Sequence, residues 1–238
     1  MIRSRLFLTR GGAPLSDYTT GLTKWYQPST VANADNTDLT SWTDSGSAAA
    51  NATGAGGTVP KWRTAILNGL GGAQFIAAST LKLTFTTLSL TGDFAIQIVQ
   101  SSSGDSDLLG AGSGNQQVRI GDSGNNRLSL YAGGADNPQG STLSTPHDDA
   151  HFSIIEYRRS GTAVSFFENG VAVGTGTLSS GGADTLSLGS IGVDAFSGGV
   201  GYATAHMCEV RVWNSAQTAA NLKTARLFLG QKYGISTV

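Results

Sequence analysis

The sequence predicts an all-β protein: a two-sheet antiparallel sandwich with one short C-terminal helix. Three observations carry that reading. The 238 residues include 33 glycines but only 13% charged residues, the profile of many short strands joined by tight turns. Apolar residues recur with period two in segment after segment, as in strands that bury one face. After the last such segment, over residues 218–234, the spacing becomes helical. A chain of this length suits one large β domain with a sizeable core.

The elements follow in order. Residues 1–20 form an N-terminal arm, in which Leu6 and Leu8 alternate with Phe7 and Thr9 before Gly11, Gly12 and Pro14 interrupt. The arm reads equally as an edge strand or as a peptide docking onto a larger assembly. The sandwich is expected over residues 21–238. Its first strand leads to a turn at Asp44-Ser45-Gly46, where Asp and Ser can bond nearby backbone and Gly accepts positive φ. Leu81, Leu83 and Phe85 then oppose Lys82, Thr84 and Thr86, and Phe94, Ile96 and Ile98 oppose Ala95, Gln97 and Val99. Val118 and Ile120 pair with Leu128 and Leu130 across the turn formers of residues 121–126. Residues 152–158 and 163–167 flank Ser160-Gly161-Thr162 as a second hairpin. In the last strand Cys208, Val210 and Val212 are expected to face opposite Glu209, Arg211 and Trp213.

For the helix, Thr218 is the expected N-cap. Leu222, Ala225 and Leu229 form one apolar stripe, with Lys223, Arg226 and Lys232 off it, and Gly234 is the expected residue after the last turn.

Composition excludes several partners. The net charge is −1, and no basic cluster could neutralise a row of phosphates, so nucleic acid is not expected. No apolar run nears the roughly 20 residues of a membrane-spanning helix, so membrane insertion is not expected either. The single Cys208 rules out an internal disulfide framework. Its alternation with Val210 and Val212 predicts a small buried hydrophobe. The apolar Leu6-Phe7-Leu8 is far shorter than a signal-peptide core of roughly 7–15 residues, so no export signal is expected.

Several motifs occur in a telling order: Trp42-Thr43-Asp44-Ser45-Gly46, Leu67-Asn68-Gly69-Leu70, Thr91-Gly92-Asp93-Phe94, the run Leu186-Ser187-Leu188-Gly189, the last strand and the closing helix. In combination they resemble the concanavalin A-like, or laminin G-like, jelly-roll family over most of the chain. The resemblance implies a domain that mostly binds ligands, often with Ca²⁺ near a sandwich rim. Some relatives are glycoside hydrolases, whose paired carboxylates come from one strand, spaced E-x-D-x-E or E-x-D-x-x-E. This chain has three glutamates, Glu156, Glu168 and Glu209. Arg158 and Arg211 stand where a second carboxylate would be required, and Glu168 falls at a turn. Glu209 and Arg211 share a face and are expected to form an ion pair of modest worth. No G-x-S-x-G elbow is present, and His206 with Cys208 is too widely spaced on a strand for a nucleophilic dyad. The chain is therefore expected not to be an enzyme, and no cofactor is implied.

Ligand-binding candidates are aromatic platforms and planar polar groups. Trp42 and Trp62 lie beside loops and are the preferred platforms within a pool that includes Trp25, Trp213, Tyr131 and Tyr202. Gln117 and Arg119 are expected on one polar strand face. Asp105 and Asp107 alternate like Ca²⁺ ligands but lack the rest of a calcium loop. His147-Asp148-Asp149-Ala150-His151 reads as a solvated loop rather than a metal site.

The expected function is a non-catalytic binding or structural module of a phage virion: a head decoration, head fibre or tail-associated adhesin. Its arm would dock onto other virion proteins, and host surface glycans would be its ligand. A divergent glycan-cleaving enzyme using aspartates and a bacterial surface adhesin are the alternatives. The ligand's identity and self-association into a homo-oligomer stay open.

Overall fold

The computed structural model describes residues 18–54, 58–111, 116–122, 125–132, 139–143, 150–178, 185–196 and 199–238. Most of the arm (residues 1–17) and His147, Asp148 and Asp149 lie outside the described residues. The chain begins with β1 (Leu22–Tyr26), β2 (Thr37–Asp38), β3 (Ser41–Trp42), β4 (Ala52–Thr53), β5 (Lys61–Leu67), β6 (Leu70–Phe75) and β7 (Leu83–Leu90). Next come β8 (Phe94–Ser102), β9 (Ser106–Gly110), β10 (Gln117–Asp122), β11 (Asn125–Tyr131), β12 (Gln139–Thr142) and β13 (Ser153–Ser160). The chain closes with β14 (Ala163–Glu168), β15 (Val171–Thr177), β16 (Leu186–Ile191), β17 (Val193–Phe196), β18 (Gly199–Tyr202), β19 (Ala205–Trp213) and α1 (Ala219–Tyr233).

Two antiparallel sheets form the expected sandwich. One runs β15-β14-β13-β8-β19-β6-β5-β2, with β1 also paired to β19. The other runs β12-β11-β10-β9-β16-β7-β4-β3. A separate hairpin, β17–β18, packs beside β9. Strand β19 is shared along its outer edge: Ala205–Met207 pair with β6, whereas Val210–Trp213 pair with β1.

The inward residues are those the period-two pattern marks. Phe94, Ile96, Ile98, Ile155, Tyr157, Val210 and Val212 meet Leu83, Leu90, Val118, Ile120, Leu128, Leu130, Leu186 and Leu188 between the layers. Burial of this kind is worth about 25 cal/mol for each Å² of apolar surface.

Strand β8 is buried along its whole length, on both faces. The reason is α1, which lies across the outer face of the first sheet. Leu222 and Ala225 pack with Ala95, Leu22 and Trp213, and Leu229 and Tyr233 pack with Val99, Ile154 and Cys208. The helix ends are capped as expected. The Thr218 hydroxyl accepts the Asn221 N–H at 3.1 Å, and Gly234 takes φ 72° while its N–H donates to Gly230.

One expectation for β19 fails. Met207 pairs with Gln100 and Glu209 with Val99, so Cys208 is an extra residue in a β-bulge. The bulge resets the alternation. Cys208 turns towards α1 together with Glu209, away from the face of Val210 and Val212. The thiol is fully buried, and burial pushes its pKa well up, with Glu209 adding to the rise. It behaves as a small hydrophobe, as expected, but on the other side of the sheet.

Gly192, at the β16–β17 junction, has φ 84°. A Cβ there would overlap the Phe75 ring, so both backbone and packing demand glycine. Gly192→Ala is expected to lower stability by about 2 kcal/mol, through strain plus overpacking. A shift in the denaturant midpoint with unchanged slope would show it.

Candidate functional site

The three glutamates are the carboxylates on which glycoside hydrolysis would call. Glu156, Glu168 and Glu209 are 0%, 3% and 0% exposed. Glu156 accepts from Arg158 at 2.7 Å, from Gln97 at 2.7 Å and from Arg226 of α1 at 3.0 Å. Glu209 accepts from Arg211 and the Trp25 indole at 2.7 Å each, from Lys232 at 2.6 Å and from the Tyr233 hydroxyl at 2.8 Å. Both carboxylates are enclosed between sheet and helix. The expected Glu209–Arg211 ion pair forms, but both side chains are fully buried, where a pair is no longer of modest consequence. Arg226 and Lys232, expected off the helix's buried stripe, instead reach inward to these carboxylates. Burial pushes the Glu209 carboxyl up, but Arg211 and Lys232, with bonds from Lys232 and Trp25, outweigh that and hold it at about 2.

Trp42 and Trp62, the expected aromatic platforms, do not reach the surface. They are 0% and 3% exposed and sit in the main core. Their rings lie 6.2 Å apart, edge to face, and Trp42 packs against Tyr26 at 5.8 Å. Nearby loops do not make a side chain external: Trp42 donates its indole N–H to the Gln27 carbonyl, inward, at 3.0 Å. The adjoining turn is structural too. The Asp44 carboxylate accepts backbone N–H groups of Trp25, Gly46 and Ala50, and pairs with buried Lys24 at 3.2 Å. Neither tryptophan can stack on a ligand in this fold.

The polar residues fare differently. On β10, Val118 and Ile120 enter the core, which leaves Gln117 and Arg119 on the outer face of the second sheet. The register then builds two rows across β9, β10 and β11. Asp107, Arg119 and Ser129 form one; Gly110, Gln117 and Tyr131 form the other. Arg119 pairs with Asp105 at 3.2 Å and with Asp107 at 3.4 Å. Its backbone carbonyl accepts the Tyr157 hydroxyl from across the sandwich at 2.6 Å. The arginine and Asp105 are partly exposed, whereas Gln117 and Asp107 are nearly buried.

This arrangement corrects the calcium candidates. Asp105 and Asp107 converge on a guanidinium, which supplies the positive charge a Ca²⁺ ion would bring. Among the described residues, no three His, Cys, Asp or Glu side chains cluster as a metal site. Ser129 went unnoticed in the sequence. The hairpin register could have revealed it, since Leu128 and Leu130 inward place Ser129 and Tyr131 outward beside Arg119 and Gln117. His151 is exposed.

Such a face, with an arginine held between carboxylates, an amide, a hydroxyl and a tyrosine ring, is suited to hydrogen-bonding a polar ligand. The chain belongs to the concanavalin A-like lectin/glucanases superfamily, whose family model matches residues 70–223. Among solved structures it is similar to Trypanosoma rangeli sialidase in complex with sialic acid (15% identity, TM-score 0.60, 93% of this chain and 34% of that one). The binding domain of Paraclostridial Mosquitocidal Protein 1 is also similar (10% identity, TM-score 0.60, 89% of this chain and 52% of that one). So is domain 4 of AbnA, a GH43 extracellular arabinanase from Geobacillus stearothermophilus, in complex with arabinotriose (19% identity, TM-score 0.58, 87% of this chain and 97% of that one). The chain spans 34% of the sialidase and 52% of the mosquitocidal domain. At these identities the likeness is one of fold, and the fold serves enzymes and binding domains alike. No curated protein matches the sequence.

Two outcomes follow from the buried side chains. Glu209→Gln is expected to cost about 3–5 kcal/mol, because Arg211 and Lys232 lose a buried counter-charge. The folded pKa of Glu209 lies below its ordinary 4.5, so its contribution is present above that pH and is lost as pH falls towards 2. Urea midpoints should decline over that window in the parent and more weakly in Glu209→Gln. Separately, Trp42→Ala is expected to cost about 3–5 kcal/mol through the cavity it leaves, measured by thermal or urea unfolding.

Proposed function

We propose that this protein is a non-catalytic glycan-binding module, with the outer face of β9, β10 and β11 as its binding surface. One observation carries the reading. Glu156 and Glu209 are committed to ion pairs beneath α1, while the opposite outer face carries Arg119, Gln117 and Tyr131 in register, with Arg119 and Tyr131 partly exposed. Sugar recognition relies on that combination: planar polar groups for hydroxyls and an aromatic ring for the apolar side of the pyranose or furanose. Family membership supports the ligand class, and the arabinotriose bound by the AbnA domain is an instance in a similar fold.

We extend the reading to a phage virion component that displays this surface to the host: a head decoration, head fibre or tail-associated adhesin. The tailspike protein 2 of Bacteriophage CBA120, whose enzymatically active domain has a similar fold over 76% of this chain (TM-score 0.52, 15% identity), supports it. Docking onto other virion proteins would fall to the N-terminal arm.

Titration of the purified protein against host polysaccharides is expected to show saturable binding. Arg119→Ala and Tyr131→Ala should each weaken it tenfold or more, about 1.4 kcal/mol, with Tyr131→Ala leaving the melting temperature nearly unchanged. Reducing ends should not accumulate. Release of reducing sugar that disappears in Asp107→Asn would replace this reading with an enzymatic one. Antibody labelling of intact particles tests the virion half.

A further inference from the structure

We infer that the β9–β11 face takes neutral glycans and discriminates against acidic ones. The inference rests on the glycan-binding reading and names its ligand class. Arg119 is the residue that would ordinarily recruit a carboxylate or sulfate. Here it lies between two carboxylates, 3.2 Å from Asp105 and 3.4 Å from Asp107. Arg127 projects on the same side, two residues before Ser129 on β11. The described charged groups of the face are then two arginines and two aspartates, so no positive excess remains to attract an anion.

The cost of displacement points the same way. An acidic sugar that engaged the Arg119 guanidinium would have to compete with Asp107, whose side chain is only 5% exposed. A carboxylate so enclosed has little water to fall back on, and separating it from its cation is strongly unfavourable. A neutral polyol meets no such obstacle. Its hydroxyls both donate and accept, so they can join an arginine–carboxylate network without breaking an ion pair.

A second observation points to a hydroxyl-bearing ligand. The Ser129 hydroxyl is buried and has no hydrogen-bond partner among the described residues. It stands directly opposite Arg119 in the β10–β11 register. Buried polar groups seldom go without a partner, and a water bridging to a sugar hydroxyl would complete it. Tyr131, opposite Gln117 in the next row, offers a ring edge or face to the apolar side of the same sugar.

The test is a matched pair of ligand series titrated against the full chain at low ionic strength. Neutral arabino-, gluco- and galacto-oligosaccharides form one series; oligogalacturonates and sialylated oligosaccharides of equal length form the other. The parent protein is expected to bind at least one neutral series and to bind acidic ligands at least tenfold more weakly. Asp105→Asn, at a position 32% exposed, removes one negative charge without disturbing Asp107. It is expected to narrow that gap at least threefold, with the gain fading as salt is added. Ser129→Ala should weaken both series alike and so leave the gap unchanged. Equal or tighter binding of acidic ligands by the parent overturns this inference while leaving the glycan-binding reading intact. Retention of neither series overturns both.

Discussion

The structure depends on one buried ionic seam. Glu156 and Glu209 project from β13 and β19 into a space that α1 closes, and each is held by one cation from its own strand and one from the helix. A carboxylate without water must be paired, or it is heavily penalised. That requirement fixes the helix in rotation and in height. Arg226 must reach Glu156 while Lys232 and Tyr233 reach Glu209, and Leu222, Ala225 and Leu229 then fall onto the sheet between them. Arg211 is further flanked by the Trp25 and Phe228 rings at 5.2 and 5.6 Å, which exclude water from the pair. The C-terminal segment joins the same system, since the Val238 carbonyl accepts from Arg226.

This seam divides the molecule into two unlike surfaces. The outer face of the first sheet is covered along its middle, and its charges are spent on folding. The outer face of the second sheet carries no helix among the described residues, and there the same alternation that fills the core presents polar groups outward. The bulge at Cys208 belongs to the first arrangement. By placing Cys208 and Glu209 on the helix side together, it lets one strand supply both an apolar contact for Tyr233 and a charge for Lys232.

Much of this was legible in the residues. Alternation located the inward side chains of β8, β10 and β11, and helical spacing found Leu222, Ala225 and Leu229 together with both caps. Gln117 and Arg119 were correctly placed on one outer face, because a strand's parity is set by its own apolar residues. Trp42 and Trp62 were misplaced because a residue beside a loop in sequence can still point inward, and only the neighbouring Tyr26 ring and Gln27 carbonyl decide that. Asp105 and Asp107 alternate as calcium ligands would, though without a calcium loop, and their spacing says nothing about an arginine arriving from the next strand. Ser129 was overlooked because its relevance comes entirely from standing opposite Arg119.

By itself, then, the sequence determined the two-layer β architecture, the closing helix and its ends, and the lack of carboxylates spaced along one strand for glycoside hydrolysis. These follow from periodicity and local chemistry, which act over a few residues. The tertiary structure alone decided which sheet face the helix covers, where the strand alternation breaks, and which charges meet across strands. Those depend on contacts between segments far apart in the chain, and period two distinguishes a strand's faces without saying what lies over either one.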